Sequence, residues 1–114
     1  MTYTSLELSK KLLEAGFKGE SEKYWYGFKE DYPISYIICP SPKGTNSDEN
    51  YERINAYDIL NDLCVRYAKE VFGELPYDNF IGILGTIVTR LQAGKKEEAE
   101  EFLWANSILN PENL

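Results

Sequence analysis

The stretch that most constrains this chain runs from Arg53 to Gly73, Arg-Ile-Asn-Ala-Tyr-Asp-Ile-Leu-Asn-Asp-Leu-Cys-Val-Arg-Tyr-Ala-Lys-Glu-Val-Phe-Gly. Tyr57, Leu60, Leu63, Cys64, Tyr67, Ala68 and Val71 recur at helical steps, which gathers them on one broad apolar face. Asn55 offers an acceptor to the free amides of a first turn, and Asp58 places negative charge at the positive end of the dipole. Gly73 permits a left-handed exit. The pattern predicts an amphipathic central helix, and the rest of the chain must cover its apolar side.

Upstream, Thr4-Ser-Leu-Glu7 has the form of a capping box, in which hydroxyl and carboxylate each satisfy an amide at a helix start. A helix over 5–15 follows, apolar at Leu6, Leu8, Leu12, Leu13 and Ala15, solvated at Glu7, Lys10, Lys11 and Glu14, and stopped by Gly16. Phe17 is placed to pack back on its last turn. Lys23 to Phe28 and Pro33 to Cys39 are rich in strand formers, with a hairpin loop at 29–32 between them. Alternation puts Tyr24, Tyr26 and Phe28 on one face of the first strand, and Ile34, Tyr36 and Ile38 on one face of the second; Trp25 and Ile37 point the other way. A two-stranded sheet is rarely stable alone, so one face must rest on helices while the other can expose an aromatic patch. The polar, turn-rich run at 40–52 reads as a mobile loop, with a short third strand near 51–54 as a weaker alternative.

Downstream, Asp78 or Asn79 is positioned to cap a helix running to about Ala93, with Phe80, Leu84, Ile87, Val88 and Leu91 as its stripe. Gly82, Gly85 and several β-branched residues weaken it, so a buried strand over 81–89 competes. The two glycines would admit a close neighbour. Gly94 stops the element, and a last helix over 96–107 folds back on it as an antiparallel hairpin. No repeat is present at any period. The expected fold is α+β, a single domain over 1–114: an N-terminal helix, a β-hairpin, and three helices packed on the hairpin.

Nineteen acidic against twelve basic side chains leave a charge of -7, which repels phosphate backbones and argues against direct nucleic-acid binding. The longest uncharged apolar run, 80–88, is far below the roughly 18 residues of a membrane helix. The first eleven residues lack the pattern of a signal peptide, so the expected compartment is the cytoplasm. Cys39 and Cys64 form no close-spaced redox or metal motif and are expected as free thiols. Absence of histidine removes the usual general base and every Ser-His or Cys-His pair. Asp58 and Asp62 share a helical face, but no third ligand for a hard cation is identifiable. Glycines near Gly82 and Gly94 lack P-loop spacing. No metal, cofactor or catalytic residue is therefore expected.

What remains is contact chemistry. Tyr24, Trp25, Tyr26 and Tyr36 form an aromatic cluster suited to a protein interface, and Glu97, Glu98, Glu100 and Glu101 form an acidic cluster at a helix start. The acids suit the helix dipole and, beyond that, recognition of a basic surface.

Three stretches also carry a resemblance: Glu7-Leu-Ser-Lys-Lys-Leu with Gly16 and Tyr24-Trp-Tyr; Ala56 through Gly73; and Leu91-Gln-Ala-Gly-Lys-Lys-Glu-Glu-Ala-Glu. Together they resemble small uncharacterised proteins encoded by bacteriophages, prophages and gut-bacterial mobile elements. That family has no assigned activity, so the resemblance implies a setting, an accessory protein inside a bacterial host, and transfers no residue role. The expected function is non-enzymatic action through protein contacts, with a homodimer built on the hairpin aromatics as one form. The alternative is an acidic inhibitor of a host DNA-binding or defence enzyme.

Overall fold

The computed structural model describes residues 2–30, 32–40 and 50–113. Helix α1 spans Leu6–Glu14, with Ser5 rather than Thr4 at its N-cap: the Ser5 hydroxyl accepts from the Leu8 amide at 3.2 Å. Thr4 lies one residue before the cap, and both its main chain and its hydroxyl are engaged by Tyr57. Residues 2–4 pair with 57–59, through Thr4 N to Tyr57 O at 2.8 Å and Ile59 N to Thr2 O at 2.9 Å. The buried Thr4 hydroxyl instead meets Ser9 Oγ at 2.6 Å and accepts from the Tyr57 amide at 3.0 Å. Leu8 and Leu12 face the core, whereas Leu13, expected on the apolar side, is 55% exposed. The helix ends in a Schellman motif, with Phe17 N on Leu12 O, Gly16 N on Leu13 O, and Gly16 at φ 85°.

The sheet has three strands, not the two of a hairpin. β1 (Lys23–Phe28) is central, flanked by β2 (Tyr36–Pro40) and β3 (Tyr51–Ala56), both antiparallel to it. The third strand begins where the weaker reading placed it and extends to Ala56, so Arg53, Ile54 and Asn55 belong to the sheet rather than to the central helix. Much of the expected 40–52 loop, 41–49, lies outside the described residues. β3 buries Ile54 and Ala56 on the side facing α1. The Trp25 indole adds to that seam by donating to Thr4 O at 3.0 Å.

The central helix starts later than its apolar periodicity suggested. Asp58 is its cap, and the first segment, Ile59–Arg66, is a π-helix that passes through Tyr67 into α2 (Ala68–Phe72). Asp58 O receives both the Asp62 amide at 3.0 Å and the Leu63 amide at 3.2 Å, and Tyr67 N reaches Asp62 O at 2.7 Å. The widened turn keeps Ile59, Leu63, Cys64 and Val71 buried together. Gly73 ends α2 at φ 74°.

Helix α3 (Tyr77–Gln92) settles 81–89 as helix, and α4 (Lys96–Ala105) returns along it. Neither Asp78 nor Asn79 caps α3; Pro76 occupies the cap and Asp78 lies in the first turn. The Gly94 turn is a second Schellman motif, with Gly94 N on Leu91 O and Lys95 N on Arg90 O. The expected arrangement put three helices on the hairpin; here the main helix-to-strand contact is α1 on β3, and α3 packs chiefly on α4. One apolar cluster nevertheless joins the layers, from Leu12 and Phe17 through Tyr57, Leu63 and Phe72 to Ile87 and Leu103. Among the described residues, no helix is long and apolar enough to cross a membrane.

Candidate functional site

Strand register sorts the aromatic candidates onto two sides of the sheet. Opposed residues of antiparallel strands share a side, so Trp25 lies with Ile38 and Ile54, and Gly27 with Tyr36 and Glu52, on the side facing α1. Tyr24, Tyr26 and Phe28 lie on the outer side with Ile37, Cys39, Tyr51, Arg53 and Asn55. The proposed foursome of Tyr24, Trp25, Tyr26 and Tyr36 is therefore split in two.

Trp25 and Tyr36 are occupied within the chain. The Tyr36 hydroxyl donates to Glu52 Oε2 at 2.6 Å, and Lys10 Nζ stands 4.8 Å from the ring centre. The bond to the Glu52 carboxylate, followed by burial, pushes the Tyr36 hydroxyl up to about 12, since deprotonation would set two anions together. No side chain fits at Gly27, where a Cβ would stand 2.6 Å from both Ile34 and Tyr36.

The outer side is a row of rings in edge and tilted contact: Tyr24 with Tyr26 at 6.4 Å, Tyr26 with Tyr51 at 6.3 Å, and Phe28 with Tyr51 at 5.1 Å between centroids. The Arg53 guanidinium stands 5.1 Å from the Tyr24 ring centre. Tyr51 is 40% exposed and Ile37 64%, while Tyr24, Tyr26 and Phe28 are half-buried. None of these strand positions carries a carboxylate, although the chain is strongly acidic. The Tyr26 hydroxyl is sealed from solvent and, among the described residues, has no hydrogen-bond partner.

The acidic candidates also separate. Glu97, Glu98 and Glu101 are exposed, and Glu98 lies 4.0 Å from Lys95. Glu100, expected as part of an exposed helix start, is buried instead, and its Oε2 accepts from the Ser5 amide at 2.7 Å. It thus supplies to the N-cap amide of α1 what Glu7 would supply in a local capping box; Glu7 faces solvent, 3.7 Å from Lys11. Nothing local marks this bond, because its partners are 95 residues apart. Glu7, Lys11, Glu97, Glu100, Glu101 and Trp104 line a cleft of about 110 Å³ between α1 and α4.

The other reactive groups serve the fold. Asp58 Oδ1 accepts from the Leu60 and Asn61 amides at 3.1 and 3.0 Å, and Asp62 Oδ2 accepts from the Asp58 amide at 3.0 Å, a reciprocal cap in place of a cation site. Among the described residues, no group of three or more His, Cys, Asp or Glu gathers to hold a metal. Both cysteines are free thiols, with Cys39 half-exposed. Burial, with a smaller contribution from Asp58, pushes the Cys64 thiol up to about 12.

Comparison with protein-family models, with curated proteins and with solved structures gives no match.

Proposed function

We propose that this chain acts through protein contact, without catalysis, as a self-associating accessory protein that uses its sheet. The observation that carries this reading is an aromatic outer side whose described strand positions carry no carboxylate, with Ile37 and Tyr51 exposed, on a chain of charge -7. Two copies of an acidic protein repel each other, and that repulsion is weakest where apolar and aromatic groups meet without carboxylates. Tyr rings add large contact area at small cost in conformational entropy. The setting, the cytoplasm of a bacterial host carrying a phage or mobile element, is supported by the sequence resemblance alone.

An acidic inhibitor of a DNA-binding or defence enzyme is the second reading. Its supporting observation is the grouping of Glu7, Glu97 and Glu101 beside one cleft. Against it, Glu100 is withdrawn into the α1 cap, and Lys11 stands among the same groups. Sedimentation over a wide concentration range, at low and high salt, tests the first reading. Mass should rise with concentration, persist in high salt, and revert toward the monomer in Ile37→Glu. A monomer throughout, together with salt-sensitive capture of a basic host protein, replaces self-association with the acidic reading.

A further inference from the structure

The two edges of the sheet are guarded differently. β3 carries Glu52 and Arg53, whereas β2, Tyr-Ile-Ile-Cys-Pro, carries no charge. Charged side chains are a common device against edge-to-edge association, and β2 lacks it. Its exposure is two-sided: Ile37 is 64% exposed on the outer side, and Ile38 is 40% exposed on the side facing α1. Among the described residues, no main-chain hydrogen bond reaches β2 except those from β1. Such an edge takes an extended strand, because the main chain supplies the hydrogen bonds and alternate side chains the selectivity.

Resting on the self-association reading, we infer that the occupant is β2 of a second copy. The copies run antiparallel about a two-fold axis at Ile38 and join their sheets into one of six strands. An isologous contact requires that the strand match its own reverse. Here Ile38 faces Ile38 of the second copy, and Ile37 faces Cys39, so apolar residues oppose apolar residues on both sides. The chain's negative charge argues for this edge over β3, where Glu52 would approach the second copy. Pro40, with no N–H to donate, stands at the strand's end and limits the pairing to the residues before it.

The register can be trapped. In the full-length Ile37→Cys variant, position 37 of one copy should fall opposite Cys39 of the other, close enough for a disulfide. Mild oxidation should then give a covalent dimer whose peptide map joins position 37 to Cys39, while the unsubstituted chain stays uncross-linked. Adding Ile38→Lys should weaken association by roughly tenfold or more, because two ammonium groups then oppose each other; Tyr51→Glu, two strands away, should leave the cross-link intact. Circular dichroism and melting of each variant separate lost contact from lost fold, and Ile37→Lys serves if Ile38→Lys unfolds. If Tyr51→Glu abolishes association and Ile38→Lys does not, the copies meet through the outer side, and edge pairing is overturned while self-association stands. A monomer at every concentration overturns both.

Discussion

Glu100 illustrates how one side chain changes meaning when its surroundings are known. In sequence it is one of four acids at a helix start; in the fold it holds the N-cap amide of α1. Glu100→Ala should cost about 2 kcal/mol, the usual worth of a hydrogen bond to a charged acceptor plus an orphaned amide. Glu100→Gln should cost less, since its amide oxygen still accepts; denaturant midpoints at constant slope would measure both. The opposite sign is expected at Tyr26, whose sealed hydroxyl has no partner among the described residues. Tyr26→Phe should stabilise the fold by about 1 kcal/mol, and a destabilised variant would mean that the hydroxyl is satisfied. The cysteines differ by burial: at mildly alkaline pH, Cys39 should react with a thiol reagent while Cys64, whose thiolate is disfavoured until about 12, stays protected until unfolding.

At the scale of elements, glycine carries opposite meanings. Gly16 and Gly94 sit at positive φ in Schellman turns, where any side chain would be strained. Gly82 and Gly85 lie inside α3, and a Cβ added at either would meet nothing within 4 Å, so no neighbour of this chain uses the close approach they would allow. Gly82→Ala and Gly85→Ala should each stabilise the protein by about 0.5–1 kcal/mol, read as a rise in thermal midpoint. The π-helix is the element least visible beforehand. Apolar spacing over 57–71 matches the ordinary 3.6-residue pitch, and the wider turn of Ile59–Arg66, which follows directly on the pairing of residues 57–59 with 2–4, is seen only in the tertiary structure.

For the whole molecule, three of the groups with raised folded pKa values act together against alkali. Tyr36 through its bond to Glu52, Tyr57 mainly through burial, and Cys64 mainly through burial are all held protonated in the fold. Each contributes stability that is fully present below its ordinary value, near 9.0 for the thiol and 10.0 for the phenols, and is lost as pH rises through the folded value, about 12 for Tyr36 and Cys64. Stability should therefore decline from about pH 9 to pH 12, with Tyr36→Phe and Cys64→Ala flattening the decline; equal slopes in all three proteins would refute this origin. Among the described residues, six cations, Lys10, Lys11, Lys23, Arg53, Arg66 and Arg90, lie over aromatic rings, against a usual frequency of about one per 70–80 residues. The excess of aromatic residues is thus partly a seat for the few positive charges. By itself the sequence determined the α+β class, the first strand, the ends of three helices at Gly16, Gly73 and Gly94, and the buried positions Leu12, Leu63, Cys64, Val71 and Leu103, because local periodicity and glycine stops encode them. Only the tertiary structure decided the third strand, the shift of the cap from Thr4 to Ser5, the burial of Glu100, and the separation of Trp25 and Tyr36 from Tyr24 and Tyr26. Each of these depends on a partner distant in sequence, and the free energy of such contacts overrides what neighbouring residues prefer alone.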